Sequence, residues 1–172
     1  MSLANGDYIE VRDHIVAALN ADTGAGGLRE ESDPPVKLIE AELRNEPRLY
    51  MDHEIPSIAV TILGKDERVT SGASVRLWRI GLFVYCRGLD SEVEIERAMR
   101  ITARVDKVLR AENSPDMQLG NLPASIEGAL GALIVGPRRA EFLMGDEARR
   151  GQPRYSVVAA LEAEIELPCS IY

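Results

Sequence analysis

The spacing of apolar positions predicts a first helix over Asp7 to Asn20, where Tyr8, Val11, Ile15 and Leu19 recur at helical intervals and Glu10 stands four residues before His14. Gly24, Gly26 and Gly27 end it. Because they follow a helix, the run from Thr23 to Gly27 reads as a flexible linker. Beyond Pro34-Pro35, the stretch Val36 to Arg44 is compatible with a short helix, burying Leu38, Ile39 and Leu43, or with a strand. Pro47 and Pro56 bracket an extended approach to a sheet. Ser57 to Leu63 alternates as a strand should, with Ile58, Val60 and Ile62 on one side. Gly64 to Ala73 is polar and reads as an exposed hairpin loop.

Val75 to Arg87 is the second strand. Ile80, Leu82, Val84 and Cys86 fall on one face, Phe83 and Tyr85 on the other. A strand apolar on both sides is expected to be covered on both. If helices occupy one face only, the second cover is a loop, an arm or another subunit. Ser91 and Glu94 have the spacing of a capping box, with Asp90 as the competing N-cap. Ile95, Ala98, Met99, Thr102, Val105, Val108 and Leu109 then form one face of a long helix. Its acidic residues come first (Glu92, Glu94, Glu96) and its basic ones last (Arg104, Lys107, Arg110), which complements the helix dipole. Residues 113–131 read mostly as loop, Ala132 to Val135 and Arg139 to Met144 as an interrupted strand, and Gly145 to Pro153 as a charged turn. Tyr155 to Leu167 alternates most clearly: Val157, Ala159, Leu161, Ala163, Ile165 and Leu167 on one face, Val158, Ala160, Glu162, Glu164 and Glu166 on the other. The expected class is α+β, an antiparallel sheet of about four strands with two or three helices mainly on one face.

At 172 residues the chain suits a single domain, with 112–153 as a loop or hairpin insertion. A domain of this size buries roughly 70% of its unfolded surface and needs neither metal nor disulfide to be stable. Twenty basic residues against 28 acidic ones give a net charge of −8, which argues against a surface that coats nucleic acid. Two cysteines, Cys86 and Cys169, are too few for a disulfide scaffold, and free thiols in a reducing compartment are expected. No apolar run approaches the ~20 residues of a membrane span, and the first residues lack the pattern of a secretory leader.

Little here points to chemistry. The Thr23–Gly27 cluster fails the spacing of either nucleotide-binding fingerprint. His14 and His53 are the only histidines, and with the two cysteines they form none of the short-spaced pairs that mark zinc sites. No serine sits in a Gly-x-Ser-x-Gly elbow. Neither a catalytic residue nor a cofactor is therefore assigned. Two charged groups remain. Glu162, Glu164 and Glu166 repel one another on one strand face. They either pair across strands with arginines such as Arg76, Arg79 or Arg87, or form an acidic wall along which a polyanion slides. Arg138, Arg139, Arg149, Arg150 and Arg154 make a locally basic segment, either a solvated loop or a contact to an acidic neighbour. Phe142, Leu143 and Met144 lie between its arginine pairs and could be the apolar centre of that contact.

The order of elements resembles a known family. An amphipathic helix is followed by the proline-bounded Glu54-Ile-Pro-Ser-Ile-Ala-Val60, a hairpin with a charged loop, and a second strand. Gly88-Leu-Asp-Ser91, a strong helix and a long final strand complete it. This is similar to the small tail-terminator or tail-completion proteins of long-tailed bacteriophages and prophages, over most of residues 7–110 and 154–167. The resemblance implies a structural protein with no enzymatic activity and no cofactor. It implies a homo-oligomeric ring, usually of six subunits, that caps the tail tube and contacts neck or connector proteins. DNA would pass through without specific binding, with no membrane involved, and the protein would sit in the virion tail after assembly in the bacterial cytoplasm. Arg138, Arg139, Phe142, Arg149 and Arg150 become interface candidates, and Glu162, Glu164 and Glu166 candidates for the lumen. A competing reading is a small-molecule-binding or enzymatic α+β domain with a site built from Arg76, Trp78, Tyr85 and Glu162. A further one is another neck or head-completion protein of similar fold.

Overall fold

A computed structural model of the chain describes residues 7–42, 50–70, 73–111, 133–146 and 155–170, with the backbone alone at 7, 10, 67–70, 73–77, 110–111, 133–140, 144–146 and 161–170. The elements are α1 (Asp7–Asn20), β1 (Leu38–Ala41), a 3₁₀ turn (Asp52–Glu54), β2 (Ser57–Thr70), β3 (Ala73–Gly88), α2 (Ser91–Ala111), β4 (Leu133–Asp146) and β5 (Tyr155–Ser170). The strands form one sheet in the order β1-β2-β3-β5-β4. β1 runs parallel to β2, and every other pairing is antiparallel.

The α+β class holds, but the sheet is mixed and has five strands, not four antiparallel ones. The fifth is β1, from the stretch compatible with either helix or strand. Leu38 to Ala41 has only four residues and no alternation of its own; pairing with Ser57 to Val60 decides its state. A parallel neighbour needs a long crossover, and residues 42–56 supply it. The polar segment after Leu63 is also strand. β2 continues to Thr70 through a register shift between Ile62 and Gly64. Backbone pairing with the continuous β3 does not require apolar side chains, so a polar ladder carries no hydrophobic signature. In β4 the register shifts between Val135 and Arg139. Gly136 and Pro137 lie there, and a proline has no N–H to give to a ladder.

Both helices lie on the sheet face formed by Trp78, Ile80, Leu82, Val84 and Cys86 of β3, all at most 2% exposed. α2 packs on β3, β5 and β4, and α1 on β1 and β2. Val11, Ile15 and Leu19 enter from α1, and Ala98, Ile101, Val105 and Leu109 from α2. Met99, expected on that face, is half exposed instead. At about 100° per residue it stands a quarter-turn from the Ala98–Thr102–Val105–Leu109 line, and Ile101 occupies the inward flank. Asp90 is the N-cap of α2: its Oδ1 accepts the N–H of Glu92 at 2.9 Å and of Val93 at 3.3 Å. Glu94, freed from capping, is buried and takes Nη1 of Arg97 on both carboxylate oxygens at 3.0 Å.

Candidate functional site: an open sheet face and a basic cleft

The side of the sheet away from the helices is only partly covered by the described residues. Thr61 and Leu63, two residues apart and so on the same side of β2, both lean over Gly81. Phe83 and Tyr85 are half-buried, and Val158 and Ala160 follow on β5. Leu63 is 45% exposed and Leu143 of β4 is 60% exposed. The register sets Leu143 beside Val158, Val158 beside Tyr85, and Ala160 beside Phe83. An apolar patch therefore crosses four strands. At one end the chain covers itself: Tyr50 packs on Tyr85 with ring centroids 4.9 Å apart. Arg87 holds this segment by donating from Nη1 to the carbonyl of Tyr50 and to Asp52 Oδ1, each at 3.3 Å. Burial, reinforced by Glu42, pushes the Tyr85 phenol up to about 12. Burial, with Glu40 beside it, also raises that of Tyr50.

The two-residue period of Val158 and Ala160 continues through Glu162, Glu164 and Glu166. The register places Arg139 opposite Glu162 and Arg79 opposite Glu164. Arg76 and Arg87 stand opposite Leu167 and Ser156 instead. Backbone pairing thus sets two of the three acidic positions beside a basic one, an arrangement that offsets their mutual repulsion. The side chains of Arg138, Arg139, Glu162, Glu164 and Glu166, and the whole of Arg149 and Arg150, lie outside the described residues. So does the proposed insertion over 112–132 and 147–153. Phe142 packs against the helix-side core, whereas its neighbour Leu143 is the exposed apolar residue of that segment.

The alternative site of scattered residues does not assemble around Trp78 and Tyr85. They point to opposite faces of β3, and Trp78 is fully buried. Its ring meets Tyr8 edge-on at 4.8 Å, and Lys65 Nζ lies 4.7 Å from its centroid. Cys86 is buried at the sheet–helix interface, where desolvation, aided by Glu94, pushes its thiol up to about 12. That environment suits a packed hydrophobe, not a nucleophile. Among the described residues, no group of three or more potential metal ligands gathers, and no helix is long and apolar enough to cross a membrane.

The glycine-rich segment is not a slack linker. Asp22 closes it into a loop: its carbonyl accepts the N–H of Arg29 at 2.9 Å and its Oδ2 that of Leu28 at 2.8 Å. The same carboxylate receives Nε and Nη2 of Arg104 from α2. These hydrogen bonds, Arg104 first, hold the Asp22 carboxyl below its usual 3.8 despite partial burial. Gly26 adopts φ 71°, and a Cβ on Gly27 would collide with the carbonyls of Asp22 and Gly24. Leu28 is thereby plugged into the core. Between this loop and α2 runs a cleft of about 390 Å³, with Arg97, Arg100 and Arg104 along one wall and Leu28 and Ile101 at its base. Sequence reasoning read Arg104 only as a helix-terminal charge and did not single out Arg97 or Arg100. Their convergence on the loop depends on the Asp22–Arg104 tie, which spans 82 residues of chain.

No family model matches the chain, and no curated protein does.

Proposed function

We propose that the chain is a self-assembling structural subunit of the phage or prophage tail-terminator kind: a ring that caps a tail tube and joins it to the neck. The observation that carries this reading is the apolar face at Leu63, Phe83, Val158 and Leu143, which the described residues leave partly open, on a sheet whose other face carries both helices. Contiguous exposed apolar surface rimmed by polar residues is characteristic of interfaces. Long strands support it further. β3 and β5 each have 16 residues and stay paired from Ala73–Ser170 to Gly88–Tyr155. At about 3.3 Å per residue these two strands span roughly 50 Å, a length suited to reaching a neighbouring subunit.

A ring uses head-to-tail interfaces that close by rotation, usually with six copies in the resembled family. Capping is then geometric. One rim matches the tube end, and the other accepts neck proteins but no further tube subunit. The basic positions Arg138, Arg139, Arg149 and Arg150 supply docking charge against an acidic neighbour, and Glu162, Glu164 and Glu166 a surface to which DNA does not adhere. No catalytic step is required.

The test is light scattering across a concentration series, with negative-stain images of the largest species. The expected result is a closed ring that dissociates in the Leu63→Glu, Leu143→Glu double variant while circular dichroism is unchanged. A monomer at every concentration, or a ring indifferent to both substitutions, refutes the assignment of this face.

A further inference from the structure

We propose that the cleft between α2 and the Asp22–Arg29 loop binds a phosphorylated small molecule carrying two linked phosphates. Arg97, Arg100 and Arg104 would grip the phosphate oxygens, and the apolar base would hold the body of the ligand. The inference is independent of assembly, since the cleft lies on the helix side of the sheet.

The three guanidiniums stand at i, i+3 and i+7 on one stripe of α2, a row about 10 Å long at 1.5 Å per residue. Glu96 is the single carboxylate among the lining residues; Glu94 and Asp22 lie behind the wall, each paired to one of the same guanidiniums. Each guanidinium has five N–H donors. Among the described residues, Arg97 donates only from Nη1, to Glu94; Arg100 only from Nη2, to Glu96; Arg104 from Nε and Nη2, to Asp22. Donors therefore remain on all three, and the internal pairs hold two of the heads in place. The Arg97 partner Glu94 is 4% exposed, and the Arg104 partner Asp22 is 10% exposed.

Such planar, fixed donors suit bidentate recognition of phosphate. A row of this length exceeds the reach of one phosphate or one carboxylate, which points to two anionic groups in sequence. A Cβ on Gly26, a lining residue, would meet no atom within 4 Å, so the loop leaves the mouth open. The volume lies within the small-molecule range of roughly 300–1,000 Å³, and the concave shape does not favour a continuous nucleic-acid backbone.

Arg100 is the residue to change, because its one described partner is the exposed Glu96, in a pair 82% and 68% exposed. Titration calorimetry with inorganic pyrophosphate, ADP and a single-stranded oligonucleotide should give saturable binding for the first two. Arg100→Gln should weaken both by about tenfold or more, with partial rescue by Arg100→Lys and no change in the unliganded melting temperature. Absence of saturable binding by pyrophosphate and ADP at millimolar concentration would overturn the proposal. So would equal affinity in Arg100→Gln, or binding of the oligonucleotide alone.

Discussion

Replacing Asp22 with alanine removes a side chain that ties the glycine loop both to itself and to α2. Three hydrogen bonds go with it: the N–H of Leu28 at 2.8 Å, Nε of Arg104 at 2.8 Å, and Nη2 of Arg104. A hydrogen bond to a charged group contributes about 1.5–3 kcal/mol, but these share one carboxylate and do not add. Arg104, 27% exposed, can recover part of its loss from water; the N–H of Leu28 faces a buried setting and cannot. A net destabilisation of about 2–4 kcal/mol follows, or roughly 4–16 °C in Tm at about 2–4 °C per kcal/mol for a chain this long. Trp78 is the only tryptophan and is fully buried, so its fluorescence reports urea unfolding directly. The pH dependence adds a second check. The folded-state pKa of Asp22 lies below its unfolded value near 3.8. Its stabilisation is thus fully present above that value and is lost as pH falls through the folded pKa. The gap between wild type and Asp22→Ala should be constant near neutrality and close in acid below pH 3.8. A neutral-pH difference under about 0.5 kcal/mol, within the range of ordinary surface substitutions, would refute this account of the loop. So would a gap that persists unchanged in strong acid.

Other substitutions separate the remaining claims. Asp90→Ala should cost about 1 kcal/mol by leaving the N–H groups of Glu92 and Val93 uncapped, read from urea midpoints at unchanged m-value. Gly27→Ala should destabilise by about 1–3 kcal/mol, since its Cβ would meet two backbone carbonyls. Gly24→Ala, whose Cβ would meet nothing within 4 Å, should be neutral or slightly stabilising. In a Cys169→Ser background the thiol of Cys86, pushed up to about 12 by burial, should resist iodoacetamide at pH 8 until the protein unfolds. Labelling at the rate of a free thiol would contradict that placement.

Which of these features the chain announces, and which it conceals, follows from the range of the forces involved. Periodicity reports burial, so α1, α2 and the apolar halves of β2, β3 and β5 were legible, including the two faces of β3. The break in β4 was legible because proline acts on its own backbone. Competition between Asp90 and the Ser91–Glu94 box was visible too, but not its outcome, which turned on Arg97 and a buried position for Glu94. Tertiary structure alone decided the rest. Leu38 to Ala41 became a parallel strand because Ser57 to Val60 offered it a ladder. The polar half of β2 stayed extended because β3 ran beside it, and main-chain hydrogen bonds leave no trace in the hydrophobic pattern. The same holds for charge. Opposing Arg79 to Glu164 and Arg139 to Glu162 is a matter of register, and bringing Arg104 to Asp22 is a matter of topology. A sequence records which residues avoid water; which distant partners they then meet is settled only when the chain closes on itself.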